Sequence, residues 1–254
     1  MLGSNDMKMH SNSMFITGGG SGIGKGLAEA FHKLGNHVII AGRREDVLKN
    51  TCAANPGMSY TVLDVAEAAG IRQVAESVTS KFPALNCVIN NAGVQRYVDF
   101  SGKKPPDEKA IQEEIDTNLL GTIRGCAAFL PHLRSMEQAT IINVSSGLAL
   151  VPLSMFPVYC ATKAAVHSFS LSLRHQLRET KVKLIELIPP YVATDLGGSQ
   201  PPRIGAPTPM PLNEFIAAAM EGLASDADEV AVGPAKAFLA AHAGARAAFA
   251  GMNR

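Results

Sequence analysis

Three residues stand out by type and spacing. Tyr159 and Lys163 lie four apart in Tyr159-Cys160-Ala161-Thr162-Lys163, a separation that puts both on one face of a helix. Thirteen residues before Tyr159 stands Ser146, at the end of Asn143-Val144-Ser145-Ser146. A free tyrosine titrates near pH 10, and an adjacent ammonium stabilises the phenolate and lowers that value. Such a tyrosine can give or take a proton near neutrality. A serine hydroxyl beside it can hold a substrate oxygen. The same Tyr/Lys spacing also occurs on plain solvated helices, so the chemistry depends on the company these residues keep.

That company begins with a glycine-rich turn, Thr17-Gly18-Gly19-Gly20-Ser21-Gly22-Ile23-Gly24. Gly18, Gly22 and Gly24, with Ser21 and Ile23 between them, follow an apolar run and open a helical one. Glycines there allow a tight turn and let backbone N–H groups approach a pyrophosphate at a helix N-terminus. The spacing differs from the G-x-G-x-x-G fingerprint, and the Lys-Ser/Thr ending of a triphosphate loop is missing. The next apolar run ends in Gly42-Arg43-Arg44, where many NAD-binding sheets place an acid against the ribose 2′-hydroxyl. Two guanidinium groups suit a 2′-phosphate instead. The expected cofactor is therefore NADP(H), with NAD(H) possible.

These residues need a scaffold to meet. Short β-rich runs at 14–17, 37–41, 59–65, 86–90, 140–144, 183–188 and 229–232 alternate with helical stretches at about 22–34, 43–54, 66–81, 107–134, 157–179, 212–225 and 234–250. Most of the runs are unbroken apolar segments, as strands covered on both faces are. Strand–helix alternation predicts βαβ units and a parallel sheet: an α/β, three-layer, doubly wound Rossmann fold with seven strands. At 254 residues with no shift in composition, one domain over 14–254 is expected. Residues 1–13 read as an N-terminal extension, disordered or added by cloning. The Pro/Gly-rich stretch at about 195–212 reads as a lid over a site.

Composition excludes several partners. Lys plus Arg number 23 and Asp plus Glu 22, a net charge of +1, so the basic surplus of a nucleic-acid binder is missing. No apolar run is long enough to span a bilayer, and neither nucleic acid nor membrane is expected as a partner. Cys52, Cys87, Cys126 and Cys160 form no CxxC pair, which fits a reducing, cytoplasmic setting. The histidines show no metal-ligand spacing, and no metal is expected.

Taken in order along the chain, these motifs resemble the short-chain dehydrogenase/reductase family in its compact single-domain form. Asn90-Asn91-Ala92-Gly93 matches the family's NNAG, Asp64 and Val65 its adenine-contacting pair, and Asn118 its helix asparagine. Ser146, Tyr159 and Lys163 match its catalytic trio, and the usual separation of thirteen favours Ser146 over Ser145. The resemblance implies hydride transfer between nicotinamide and a carbonyl or alcohol carbon. Tyr159 would protonate the oxygen and Ser146 would orient it. Lys163 would lower the tyrosine pKa and hold ribose hydroxyls. Asn118 would anchor a relay water through its backbone carbonyl. Pro189, Val192 and Thr194 match the carboxamide-contacting turn, although Pro190 replaces the family's glycine. Ser21 stands where many NADP-using relatives carry Arg or Lys. The Pro-Pro turn looks similar to the DltE-like oxidoreductase branch, whose name raises a cell-envelope or D-alanylation role. A catalytically silent NADP sensor is the rival from another class, but it should lack part of the trio.

Leu148, Leu153, Tyr191 and Met210 are expected to wall the substrate pocket. With no Arg or Lys near Ser146 in sequence, they predict a hydrophobic ketone or alcohol as the small-molecule substrate. A carbonyl or ketone reductase, running reversibly as an alcohol dehydrogenase, is the expected activity. The resemblance also implies a homotetramer or homodimer, joined through the helices at about 107–134 and 157–179.

Overall fold

The computed structural model describes residues 7–102, 105–196 and 208–252. Seven strands alternate with helices: β1 (Ser13–Thr17), α1 (Gly22–Lys33), β2 (His37–Gly42), α2 (Glu45–Ala54), β3 (Ser59–Val62), α3 (Ala68–Lys81), β4 (Leu85–Asn90) and α4 (Glu108–Glu114). A π-helical turn (Ile115–Leu120) then runs into α5 (Gly121–Leu133), followed by β5 (Ala139–Val144), α6 (Pro157–Leu177), β6 (Val182–Ile188), α7 (Leu212–Leu223), β7 (Glu229–Ala231), α8 (Ala235–Ala241) and α9 (Ala243–Met252). The sheet order is β3-β2-β1-β4-β5-β6-β7, and all six pairings are parallel. This is the expected doubly wound Rossmann architecture. The strand order reverses between β1 and β4, and the C-terminal edge at that switch point is where such sheets leave a crevice.

Alternation along the strands builds two cores. Met14, Ile16, Val38, Ile40, Ile89, Ile142 and Ile185 face one side, where they meet Leu27 and Phe31 of α1, Leu48 of α2 and Phe215 of α7. Phe15, Ile39, Val88, Ile141 and Leu184 face the other and pack on Ile71 of α3, Phe129 of α5 and Leu173 of α6. A strand covered on both faces must be apolar at every position. That is why these runs lack the alternation of a half-buried strand. The ring centroids of Phe15 and Phe129 lie 4.8 Å apart across the second core.

Three expectations change. The fold takes in residues ahead of 14: Met7 is buried in the first core, the Asn12 side chain donates to Lys8 O and Asn36 Oδ1, and β1 begins at Ser13. Residues 1–6 of the expected extension lie outside the described residues. The third strand ends at Val62, so Asp64 and Val65 sit in the following turn, where Asp64 Oδ1 accepts from Ala66 N. The single helix expected over 107–134 is three pieces, because the π turn interrupts it around Asn118. The expected lid falls mostly on 197–207, outside the described residues.

Candidate active site

The glycine turn leaves β1 at the switch point. Gly18 has φ +68°, a left-handed conformation that only glycine adopts without strain. A Cβ on Gly24 would run into the Gly18 carbonyl oxygen and Asn91 Nδ2, so the first turn of α1 lies against the loop. The loop is braced from β4. Thr17 Oγ1 accepts from Asn91 N at 3.0 Å and Ala92 N at 3.1 Å, while Asn91 Nδ2 donates to Thr17 O at 2.9 Å. The side chain of Asn91 therefore fixes the turn, and the backbone lines the cavity.

That cavity measures about 1220 Å³ and runs from the glycine turn along the C-terminal edge of the sheet to β7. Gly18, Ser21, Gly22, Ile23, Arg43 and Arg44 wall one end. Arg44 Nη2 donates to Ser21 Oγ at 3.3 Å, and Arg43 Nη1 stands 4.0 Å from Asp64 Oδ2. Asp64, Val65 and Thr117 line an adjoining recess with Gly18, Gly20, Arg43 and Arg44. Asn91, Ala92 and Gly93 form the middle of the wall. Ser146, Tyr159, Lys163, Pro189, Val192 and Thr194 stand deeper in, with Leu148, Leu153, Tyr191 and Met210 around them.

Tyr159 comes from the first turn of α6, which Pro157 starts without loss of a needed N–H. It packs with Phe156, Leu148, Leu153 and Met155. Burial pushes the tyrosine pKa up, the nearby Ser146 hydroxyl pulls it down, and Cys160 and Glu114 raise it further. Lys163 Nζ donates to Val144 O at 2.9 Å and sits 5.8 Å from the Tyr159 ring centroid. Burial lowers the Lys163 pKa to about 8, while the Glu186 charge acts in the opposite direction. The expected depression of Tyr159 by Lys163 is thus not what the protein's own groups produce. Desolvation dominates both residues, and the tyrosine is held protonated.

Asn118 is not on the cavity wall. It is fully buried: Oδ1 accepts from Val94 N at 2.8 Å, Nδ2 donates to Val94 O and Thr162 Oγ1, and its backbone carbonyl already accepts from Thr122 Oγ1. It ties the segment after β4 to the π turn and to α6. One turn earlier, Glu114 continues this, accepting from Arg96 N at 2.7 Å. Burial pushes Glu114 up to about 7. The sequence gave no motif by which to find it.

Gln95 and Arg96 also line the cavity, so a cation not expected from the residues around Ser146 joins Lys163 and the Arg43–Arg44 pair on its wall. The guanidinium is far from Ser146 in sequence, and only the turn after β4 brings it close. Arg96 Nη2 lies 3.3 Å from Glu113 Oε2, so its charge is already compensated. Among the described residues, His167, Glu186 and Glu229 bring possible ligand atoms within 4.8 Å of one another, a cluster drawn from one helix and two strands that no local spacing reveals.

A glycine turn at the switch point, sharing one cavity with a buried proton donor and an ammonium, defines a dinucleotide-binding oxidoreductase architecture. Comparison with known proteins narrows that class. The profile of the short chain dehydrogenase family matches residues 12–204, and the chain belongs to this family. It is 46% identical over 191 residues to the uncharacterized oxidoreductase DltE of Bacillus subtilis, covering 75% of each chain. Its fold matches a short chain dehydrogenase from Burkholderia cenocepacia solved in complex with NADP, at TM-score 0.80 and 27% identity, over 97% of this chain and 99% of that one. A Burkholderia phymatum short chain dehydrogenase/reductase solved with NAD has the same fold, at TM-score 0.80 and 24% identity over 92% of each chain. No helix among the described residues is long and apolar enough to cross a membrane.

Proposed function

We propose that this protein is an NADP(H)-dependent carbonyl reductase, reversible as an alcohol dehydrogenase, acting on an uncharged hydrophobic ketone or alcohol. The observation that carries the reading is the shared cavity. Ser146, Tyr159 and Lys163 line the same space as the glycine turn and the Arg43–Arg44 pair. The residues present fit a nicotinamide dinucleotide: Gly18 at positive φ shapes a turn whose backbone can approach a pyrophosphate, and Arg43 and Arg44 supply two guanidinium groups for a 2′-phosphate. The likeness to Burkholderia proteins solved with NADP and with NAD supports a nicotinamide cofactor, and the preference for NADP(H) rests on the arginine pair.

A nicotinamide cofactor, when bound, supplies or accepts the hydride. The chain's own residues do the rest. Tyr159, kept protonated by burial, donates its proton to the carbonyl oxygen during reduction. Ser146 Oγ, which accepts from Leu148 N at 3.1 Å, donates to the same oxygen and orients it. Lys163 holds ribose hydroxyls and favours the phenolate left behind. Asn118 acts as a brace on the wall that faces Lys163. A relay through its carbonyl would use the lone pair that Thr122 leaves. Leu148, Leu153, Tyr191 and Met210 shape an apolar floor for the substrate, and the segment at about 195–212 acts as its lid.

The supporting assay follows NADPH and NADH oxidation by the purified protein against a panel of ketones. Activity on hydrophobic ketones that Tyr159→Phe abolishes is expected. Full activity in Tyr159→Phe overturns the mechanism, and activity confined to charged sugars overturns the substrate class. We further propose a cytoplasmic, single-domain protomer that assembles as a homodimer or homotetramer through α5 and α6. Val166 is buried within the protomer and takes no part, which leaves exposed Ala127 and half-buried Ala128, Ala164 and Ala165 for close helix approach.

A further inference from the structure

The sheet register lines up four polar residues. Asn90 pairs with Asn143, Asn143 with Glu186, and Glu186 with Glu229. Paired positions in parallel strands point to the same face, so this row crosses β4, β5, β6 and β7 beneath α6. The row two residues back on that face, Val88, Ile141 and Leu184, is apolar, as a covered parallel sheet requires. A polar row there is costly unless its members are paired. The asparagine end is paired: Asn90 Nδ2 donates to Asn143 Oδ1 at 2.9 Å, and Asn143 Nδ2 donates to Ser170 Oγ of α6 at 3.0 Å.

The acidic end leads to the active site. His167 Nδ1 donates to Glu186 Oε2 at 2.8 Å and stands 4.0 Å from Glu229 Oε1. Glu186 is fully buried, and its Oε1 accepts no hydrogen bond from the protein. His167 follows Lys163 by one turn of α6, on the same face. Lys163 in turn bonds the carbonyl of Val144, the residue next to Glu186's partner Asn143. The Glu186 carboxylate is thus held by the imidazole one helical turn from Lys163, on the strand next to the one whose carbonyl takes the ammonium. We propose that Glu186, oriented by His167, is a positioning residue for Lys163: a buried counter-charge that keeps the ammonium at the cavity floor.

The electrostatics agree in sign. Glu186 opposes the downward pull of burial on Lys163. His167 is raised by its bond to Glu186 and by the charges of Glu186 and Glu229, against burial and Arg174. The groups facing this unit are Glu186 from β6, Glu229 from β7, and Tyr159, His167 and Arg174 of α6 itself. The short His167–Glu186 contact and the upward pull on His167 make the cluster a hydrogen-bonded imidazole–carboxylate pair.

The inference rests on the proposed role of Lys163, and two readouts separate the two. In Glu186→Gln, the alkaline fall of kcat/KM for NADPH is expected about one pH unit lower than in wild type, whereas loss of a merely structural residue lowers activity equally at every pH. Lysine-labelled NMR of the full chain without nucleotide, with the Lys163 signal assigned through Lys163→Arg, should show the same downward shift. An unmoved Lys163 midpoint overturns the inference even where Tyr159→Phe is inactive. A shifted midpoint upholds it even where the reductase reading fails. If Glu186→Gln does not fold, Glu186→Asp, which keeps the charge but draws it back by one methylene, carries the same NMR test with a smaller downward shift, and no shift overturns it. A midpoint that moves on adding zinc or a chelator also overturns it.

Discussion

The two ends of the cavity are made of different material. At the nucleotide end the turn is set by backbone: Gly18 at positive φ, Gly24 packed behind it against the Gly18 carbonyl, and the loop strapped down by Thr17 and Asn91. Neither Gly18 nor Gly24 has room for a methyl group. At the substrate end the wall is side chains, with Leu148, Leu153 and Phe156 on one side and Tyr191 and Met210 on the other. Many apolar side chains can fill such a wall, whereas the backbone wall accepts almost one residue type. The nucleotide end therefore tolerates little change in sequence, and the substrate end is free to vary.

The first way to break this comparison lies between the two ends. Tyr159→Phe removes the proton donor and leaves the packing, so kcat for ketone reduction should fall by about 10²- to 10⁴-fold. The NADPH dissociation constant, read by fluorescence titration, should stay within a factor of about three of wild type, because the variant keeps every backbone contact. Gly24→Ala tests the backbone end. Its Cβ meets the Gly18 carbonyl, which cannot move without distorting the turn, so stability should drop by about 1–3 kcal/mol in urea titration. NADPH affinity should fall with it, on the order of tenfold or more.

Smaller effects sharpen the contrast. Arg43→Ala should raise the Michaelis constant for NADPH about tenfold and leave that for NADH nearly unchanged, since the side chain is well exposed and recognises charge alone. Equal effects on both nucleotides would remove the 2′-phosphate role. A pH profile follows from Lys163. Its folded pKa of about 8 lies below the usual lysine value, so the ammonium is present below pH 8 and lost above it. The value of kcat/KM for NADPH, which reports free-enzyme ionisations, should fall up to tenfold per unit above about pH 8. Tyr159 adds no limb in that range, because burial moves it upward. Lys163→Arg should abolish the fall. The smallest effect belongs to the side-chain wall: Leu153→Ala should change the Michaelis constant of bulky ketones by roughly three- to tenfold, with nucleotide affinity untouched.

How much the sequence disclosed follows the same division. The strands, the glycine turn and the Ser146/Tyr159/Lys163 spacing were legible because each is a local pattern with a fixed geometric cause. The seven strands appear where apolar runs predicted them, with one shortened at Val62. The π turn at Ile115–Leu120 was not legible, since no local pattern in its residues marks the distortion and the bonds that tie its Asn118 to Val94 are tertiary. Arg96 and Glu114 were missed for a related reason. They reach the site through a turn whose path depends on tertiary hydrogen bonds. The sign of the Tyr159 shift was misjudged because i, i+4 spacing reports proximity and says nothing of burial. The Asn90–Glu229 row is invisible along the chain, as it exists only once the strand order is known.

One small feature bears on how this enzyme's selectivity can change. After β6 the chain makes a single parallel bridge between Val192 and Met210, with Ala193 N bonded to Met210 O and Met210 N to Tyr191 O. Val192 and Met210 are held side by side, so the chain departs from the end of β6 and arrives at α7 at nearly the same point. The entropy of closing such a bridge grows only slowly with the number of residues between its ends. Changes of length between them should therefore leave β6, α7 and the places of Tyr191 and Met210 on the cavity wall undisturbed.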